Sequence, residues 1–171
     1  MKMNQHFGII YVLLLICQIV ICNFSPLGPY IMLTVLPAMV LCIPLKISTA
    51  ACMLIAFCSG LAVDWLSEGL VGINAAALVP VALARKPIAR IFFGEDLLTR
   101  KDSFSFNKYG AAKISAAILS SLTIFLAIYI FLDGAGTRPA LVNLAYFGAS
   151  LLCNWLLCLI VTKILTPDDR K

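Results

Sequence analysis

Apolar residues fall in six long blocks along this chain, at about 7–22, 30–45, 47–66, 70–84, 112–132 and 140–165. Short polar or proline- and glycine-containing breaks separate them. A helix needs roughly 20 mainly apolar residues to cross the hydrocarbon core. The blocks therefore predict six crossings. The second is short and holds Pro37 and Pro44. Pro37 removes an internal hydrogen bond and kinks that span if it stays helical. The last block is long enough to tilt or to project beyond the bilayer. Lys2 before the first block imitates a signal peptide, but no clear A-x-A site follows, so the run is read as a retained span.

The breaks carry most of the polarity. Asn23 to Pro29 forms a turn, and Asp133-Gly134-Ala135-Gly136-Thr137 forms another. The region 85–111 is read as an inner loop rich in both charge signs. Its IARIFF piece can lie in the interface, with Phe92 and Phe93 dipping into lipid.

Composition fixes the class. The chain of 171 residues is 62% hydrophobic and 12% charged, against roughly 45–50% and about 25% in soluble domains. The net charge of +5 does not point to nucleic acid, because the basic residues sit at the ends of apolar runs. With the N-terminus in the cytoplasm, every Lys and Arg except Arg138 falls on the inner side. That is the positive-inside pattern. The reading is an all-α integral membrane protein, one domain over 1–171, with both termini inside.

Candidate chemistry is sparse. The seven cysteines lie in or beside apolar runs, form no disulfide framework, and read as small buried hydrophobes. Cys17/Cys22 and Cys153/Cys158 lack metal-site spacing. His6 is the lone histidine. No phosphate loop or nucleophilic triad is recognisable. No catalytic residue, metal or cofactor is expected, and the chain is read as no enzyme.

Asp64 and Glu68 stand out between the third and fourth blocks. Four apart, they share a face if the helix continues. A proton or cation relay is one reading. A structural or partner-binding corner near the outer surface, with water solvating both groups, is the other. Gly69, Gly72 and Asn74 suit such a corner, where Asn74 caps the returning helix or bonds its neighbour. Ala56/Gly60 and Ala112/Ala116/Ser120 are stripes suited to close helix packing, and Asn143 and Asn154 are candidate interhelical glue. Asn107 is a further polar position. Arg85, Lys86 and Arg90 are read as contacts to anionic lipid or to a partner.

The G-x-x-x-D at the end of the third block, Gly60 and Asp64, is followed by G-x-N-A, with Gly72, Asn74 and Ala75. LVPVALARKP follows at 78–87, and ICNFSPLGPYI stands at 21–31. With six spans and this length, the chain resembles the rod shape-determining MreD family, in the version found in Bacteroidetes-type bacteria. The resemblance implies a non-catalytic subunit of the bacterial inner membrane, within the elongasome. Its implied partners are an MreC-like bitopic protein and also MreB, RodA and the partner transpeptidase of RodA. The implied role is support of lateral peptidoglycan synthesis and rod shape. The implied fold is similar to the substrate-binding membrane subunits of energy-coupling-factor transporters. Gly60, Asp64, Glu68, Gly72, Asn74 and Ala75 are then structural or partner-contacting. A vitamin-binding transport subunit is the rival, with Trp65, Asp64, Asn74 and Asn154 as candidate pocket residues. A lipid-modifying enzyme or a channel is a weaker fit, for want of converging acids, bases or metal ligands.

Overall fold

The structure, a computed structural model, describes residues 5–24, 31–68, 71–94, 110–134 and 139–165, with side chains from Phe7 and without that of Glu68. The expectations for Gly69, Asn107 and Arg138 lie outside the described residues, and that for His6 rests on a side chain outside the described ones. Among the described residues six α-helices follow in order: α1 (Gln5–Phe24), α2 (Leu36–Leu41), α3 (Thr49–Val63), α4 (Ile73–Phe93), α5 (Ala111–Gly134) and α6 (Ala140–Leu165). A π-helical turn, Asp64–Glu68, prolongs α3. Among the described residues four stretches are long and apolar enough to cross a membrane: Phe7–Phe24, Thr49–Ser67, Ala111–Gly134 and Ala140–Leu165. The chain is a multi-pass helical membrane protein.

Side-chain pairings set the directions. Tyr11 reaches Ser59, and Asn23 reaches the Leu66 carbonyl, so α1 and α3 run parallel. Gly60 lies against Ala75 near the start of α4, so α4 runs back along α3. Trp155 donates to Ser115, and Gly134 lies against Asn143, so α5 and α6 are antiparallel. These directions gather the described basic residues, Lys46, Arg85, Lys86, Arg90, Lys113 and Lys163, at one end of the bundle. Asp64, Glu68 and Asp133 lie at the opposite end. We call these the basic and acidic ends.

The second block departs from expectation. It is not a spanning helix over 30–45. Residues 31–35 are non-helical, and only Leu36–Leu41 is α-helical. Pro37 sits in the first turn of α2, where its missing N–H costs nothing. It denies the Leu33 carbonyl a helical donor. The block is nonetheless buried along almost its whole length. It forms the centre of the core. All of α2 is buried, and α1, α3, α4, α5 and α6 surround it.

The fourth block is also longer than expected. Helix α4 continues to Phe93 through Pro80 and Pro87. The expected loop therefore does not begin at 85, and IARIFF is the last turns of α4 rather than a separate interfacial piece. Its buried face, Asn74, Leu78, Val81, Arg85 and Ile88, follows helical spacing without interruption. The fifth and sixth blocks match α5 and α6 to within two residues.

Candidate functional site

Two polar assemblies lie inside this apolar bundle. The first is at the acidic end. Asp64 is fully buried, which corrects the expectation of a water-solvated carboxylate. Its Oδ2 accepts from the backbone N–H of Gly72 at 2.9 Å and of Ala75 at 3.2 Å. Its Oδ1 accepts from Asn74 twice, from the backbone N–H at 3.1 Å and from Nδ2 at 2.8 Å. A carboxylate offers about four acceptor positions. All are engaged.

The geometry is that of a helix cap supplied from another helix. The first N–H groups of any helix lack intrahelical partners. Asp64 takes those of Asn74 and Ala75, and its negative charge meets the positive end of the α4 dipole. Gly72 makes the turn, with φ at +107°, a left-handed conformation that favours glycine. The first helical bond then runs from Ala76 N–H to the Gly72 carbonyl at 2.8 Å. Gly60 completes the unit. A Cβ there would stand 2.5 Å from Ala75 Cα and 2.6 Å from Ala75 N, so only glycine lets the two backbones approach this closely. Gly60, Asp64, Gly72, Asn74 and Ala75 are one clasp. Asn74 therefore does not act as the cap itself; it braces the residue that does. The π-helical turn begins at Asp64 and ends at Glu68, whose side chain lies outside the described ones. Ser67 Oγ donates back to the Val63 carbonyl across that turn.

The second assembly holds the non-helical stretch. Unpaired backbone groups are very costly in lipid, and irregular backbone persists there only when buried in protein or beside water. Here side chains supply the partners. Gln18 of α1 donates from Nε2 to the Leu33 carbonyl at 3.1 Å and accepts from Val35 N–H at 2.7 Å. Asn154 of α6 donates to the Met32 carbonyl at 2.7 Å and accepts from Thr34 N–H at 2.7 Å. Ser150 Oγ accepts from Met32 N–H at 3.0 Å, and the Cys158 thiol donates to the Thr34 carbonyl at 3.5 Å. Each amide stands in for a strand neighbour, one donor and one acceptor at a time.

Arg85 closes the basic end of the same segment. It is the largest fully buried side chain among the described residues. Its Nη1 donates to the Ile43 carbonyl at 2.7 Å and more distantly to Pro44 at 3.4 Å, and Nη2 donates to Ile47 at 3.2 Å. These carbonyls follow the end of α2, where a positive charge is favoured. The reading of Arg85 as a lipid or partner contact is thus corrected: it points into the protein. Arg90 is exposed and Lys86 half-buried.

The four residues considered for a ligand pocket do not converge. Asp64 and Asn74 bond each other, Asn154 belongs to the second assembly, and Trp65 is 76% exposed. A shallow apolar hollow of about 390 Å³ lies on the outward face of α3, lined by Cys58, Leu61, Ala62, Trp65 and Leu66. Among the described residues no group of three His, Cys, Asp or Glu side chains is placed to hold a metal ion. All seven cysteines are free thiols; Cys42, Cys52 and Cys158 are buried, whereas Cys17, Cys58 and Cys153 are exposed at the bundle surface. The Ala112/Ala116/Ser120 stripe is exposed or half-buried rather than closed against another described helix. Asn143, read as glue, packs beside Gly134 with a buried Oδ1 that has no partner among the described residues.

Protein-family models, known proteins and solved structures offer no match to this chain. Sequence reasoning missed Gln18 and Ser150 as site residues. The signal for Gln18 was available, as the one amide within the first apolar block.

Proposed function

We propose that this chain is a non-catalytic, MreD-like subunit of the bacterial inner membrane. In this reading it supports lateral peptidoglycan synthesis and rod shape within the elongasome, through helix contacts with an MreC-like bitopic protein and with wall-synthesis partners. The basic end faces the cytoplasm.

One observation carries the proposal. The five residues behind the family likeness, Gly60, Asp64, Gly72, Asn74 and Ala75, are spread over the end of α3 and the start of α4, and they meet in a single clasp around the buried Asp64 carboxylate. A motif assembled by chance has no reason to close on itself. The clasp also has a consequence for partners. The Asp64 carboxylate is fully engaged within the clasp, and Asn74 Oδ1, which has no partner among the described residues, is buried, so contact falls to the outward side chains beside it. Trp65, Leu66 and Val71 are exposed there. In lipid such contacts rely on shape and packing, since apolar groups gain little hydrophobic drive.

The test is partner capture in native membranes. Photo-crosslinking residues are placed at Trp65, Leu66, Val71 and Ala76, which face outward, and at buried Asn74 as a blank. Adducts to an MreC-like or wall-synthesis protein are expected from the outward set. Adducts only to an ATP-driven transport module, or a vitamin that co-purifies with the chain, would overturn the proposal in favour of a transport subunit.

A further inference from the structure

The second crossing holds its place by means unlike those of the other spans. An ordinary span satisfies its backbone internally and enters the bilayer on its own apolar character. The stretch 31–47 cannot do so. Its only α-helix is six residues long. Local bonds pair the N–H groups of Cys42, Ile43 and Ile47, but backbone groups of Met32 to Val35 and the carbonyls of Ile43 and Ile47 are bonded by side chains from three other helices: Gln18 on α1, Arg85 on α4, and Ser150, Asn154 and Cys158 on α6. The α6 partners stand 118 to 124 residues further along the chain. They are made last. Until they arrive, the Met32 and Thr34 backbone groups lack the partners they have in the fold.

We infer that the second crossing is a dependent span, held across the membrane by the polar side chains of α1, α4 and α6 rather than by its own hydrophobicity. Gln18 is the early tether, because it precedes the segment in the chain and takes the one carbonyl that Pro37 frees. Asn154 is the late lock. The device ties the orientation of α3 to completion of the whole bundle, because α1 and α3 run parallel only if the segment between them crosses.

The experiment uses the full-length chain in sealed membrane vesicles of both orientations. Ser48, exposed at the basic end and just before α3, is changed to Cys and probed with a membrane-impermeant maleimide. The chain without that change is the blank. One-sided labelling is expected in the parent. Asn154→Leu and Gln18→Leu are expected to lose that one-sidedness or to lower the amount of chain. Ser121→Ala and Thr123→Val are the controls. Their hydroxyls donate to carbonyls of their own helix, those of Ile118 and Leu119, and labelling should stay one-sided.

A collapsed variant is separated from a misplaced span by a second substitution. Pro37→Leu restores a donor for the Leu33 carbonyl and lets the segment run helical. Added to Asn154→Leu, it is expected to restore both chain level and one-sided labelling. Parent-like labelling in both single variants would overturn the inference. So would failure of Pro37→Leu to rescue, or equal loss in the two controls.

Discussion

At the scale of single residues, the clasp separates three kinds of necessity. Gly60 is needed for space, Gly72 for backbone angle, and Asp64 for charge and acceptors. Gly60→Ala puts a methyl group 2.5 Å from Ala75 Cα, and backbone cannot move aside as a flexible side chain would. Overpacking of this kind costs about 1–3 kcal/mol. Gly72→Ala meets open space but keeps φ at +107°, a strain of about 1–2 kcal/mol. Asp64→Asn keeps the shape yet replaces one oxygen by an N–H₂ group that faces donors. Its loss should be the largest of the three, about 3 kcal/mol or more, because charged acceptors are lost and buried N–H groups are orphaned. Thermal unfolding of the purified chain in mild detergent checks the ranking. A greater loss in Gly72→Ala than in Asp64→Asn would mean that turn geometry, not capping, holds the corner.

At the scale of elements, the contrast between α4 and the second block shows what was legible in the sequence. Pro37, Pro44 and short length marked the second block as abnormal, but nothing local says what replaces a helix there. The answer lies in partners over a hundred residues away. Asn154 was recognisable as polar glue; its target, bare backbone, was not. Arg85 misled for a physical reason. A cation at the end of an apolar run is normally a topology anchor, and helical spacing from Asn74 through Leu78 and Val81 was the only sign that it faces inward. Its role yields a prediction. Arg85→Lys keeps the charge but cannot fork to both the Ile43 and Ile47 carbonyls. It should cost about 1–2 kcal/mol, whereas Arg85→Met orphans those carbonyls and should cost about 3 kcal/mol. Unfolding midpoints of the two variants decide it; equal losses would show that charge, not the fork, is what matters.

At the scale of the whole molecule, the multi-span helical architecture and the clustering of charge were readable because each follows from the bilayer itself. The interior was not, because lipid-facing and protein-facing helix surfaces are both apolar. Composition therefore cannot tell Leu78, fully buried, from Leu66, 59% exposed. That degeneracy leads to a test of the proposed assembly role. Replacing Trp65 by Leu exchanges one outward apolar group for another, and within lipid this changes the stability of the isolated chain by no more than about 0.5 kcal/mol. Yet it removes the wall of the hollow formed with Cys58, Leu61, Ala62 and Leu66, and packing shape is what lateral association in lipid uses. Trp65→Leu should thus leave the unfolding midpoint in place while lowering capture of the bitopic partner at Leu66 and Val71. Gly60→Ala should lower both together. If Trp65→Leu leaves capture intact, the partner sits elsewhere on the bundle, and the same crosslinking scan moves to the exposed faces of α1 and α6, at Leu13, Val20, Leu152 and Leu156.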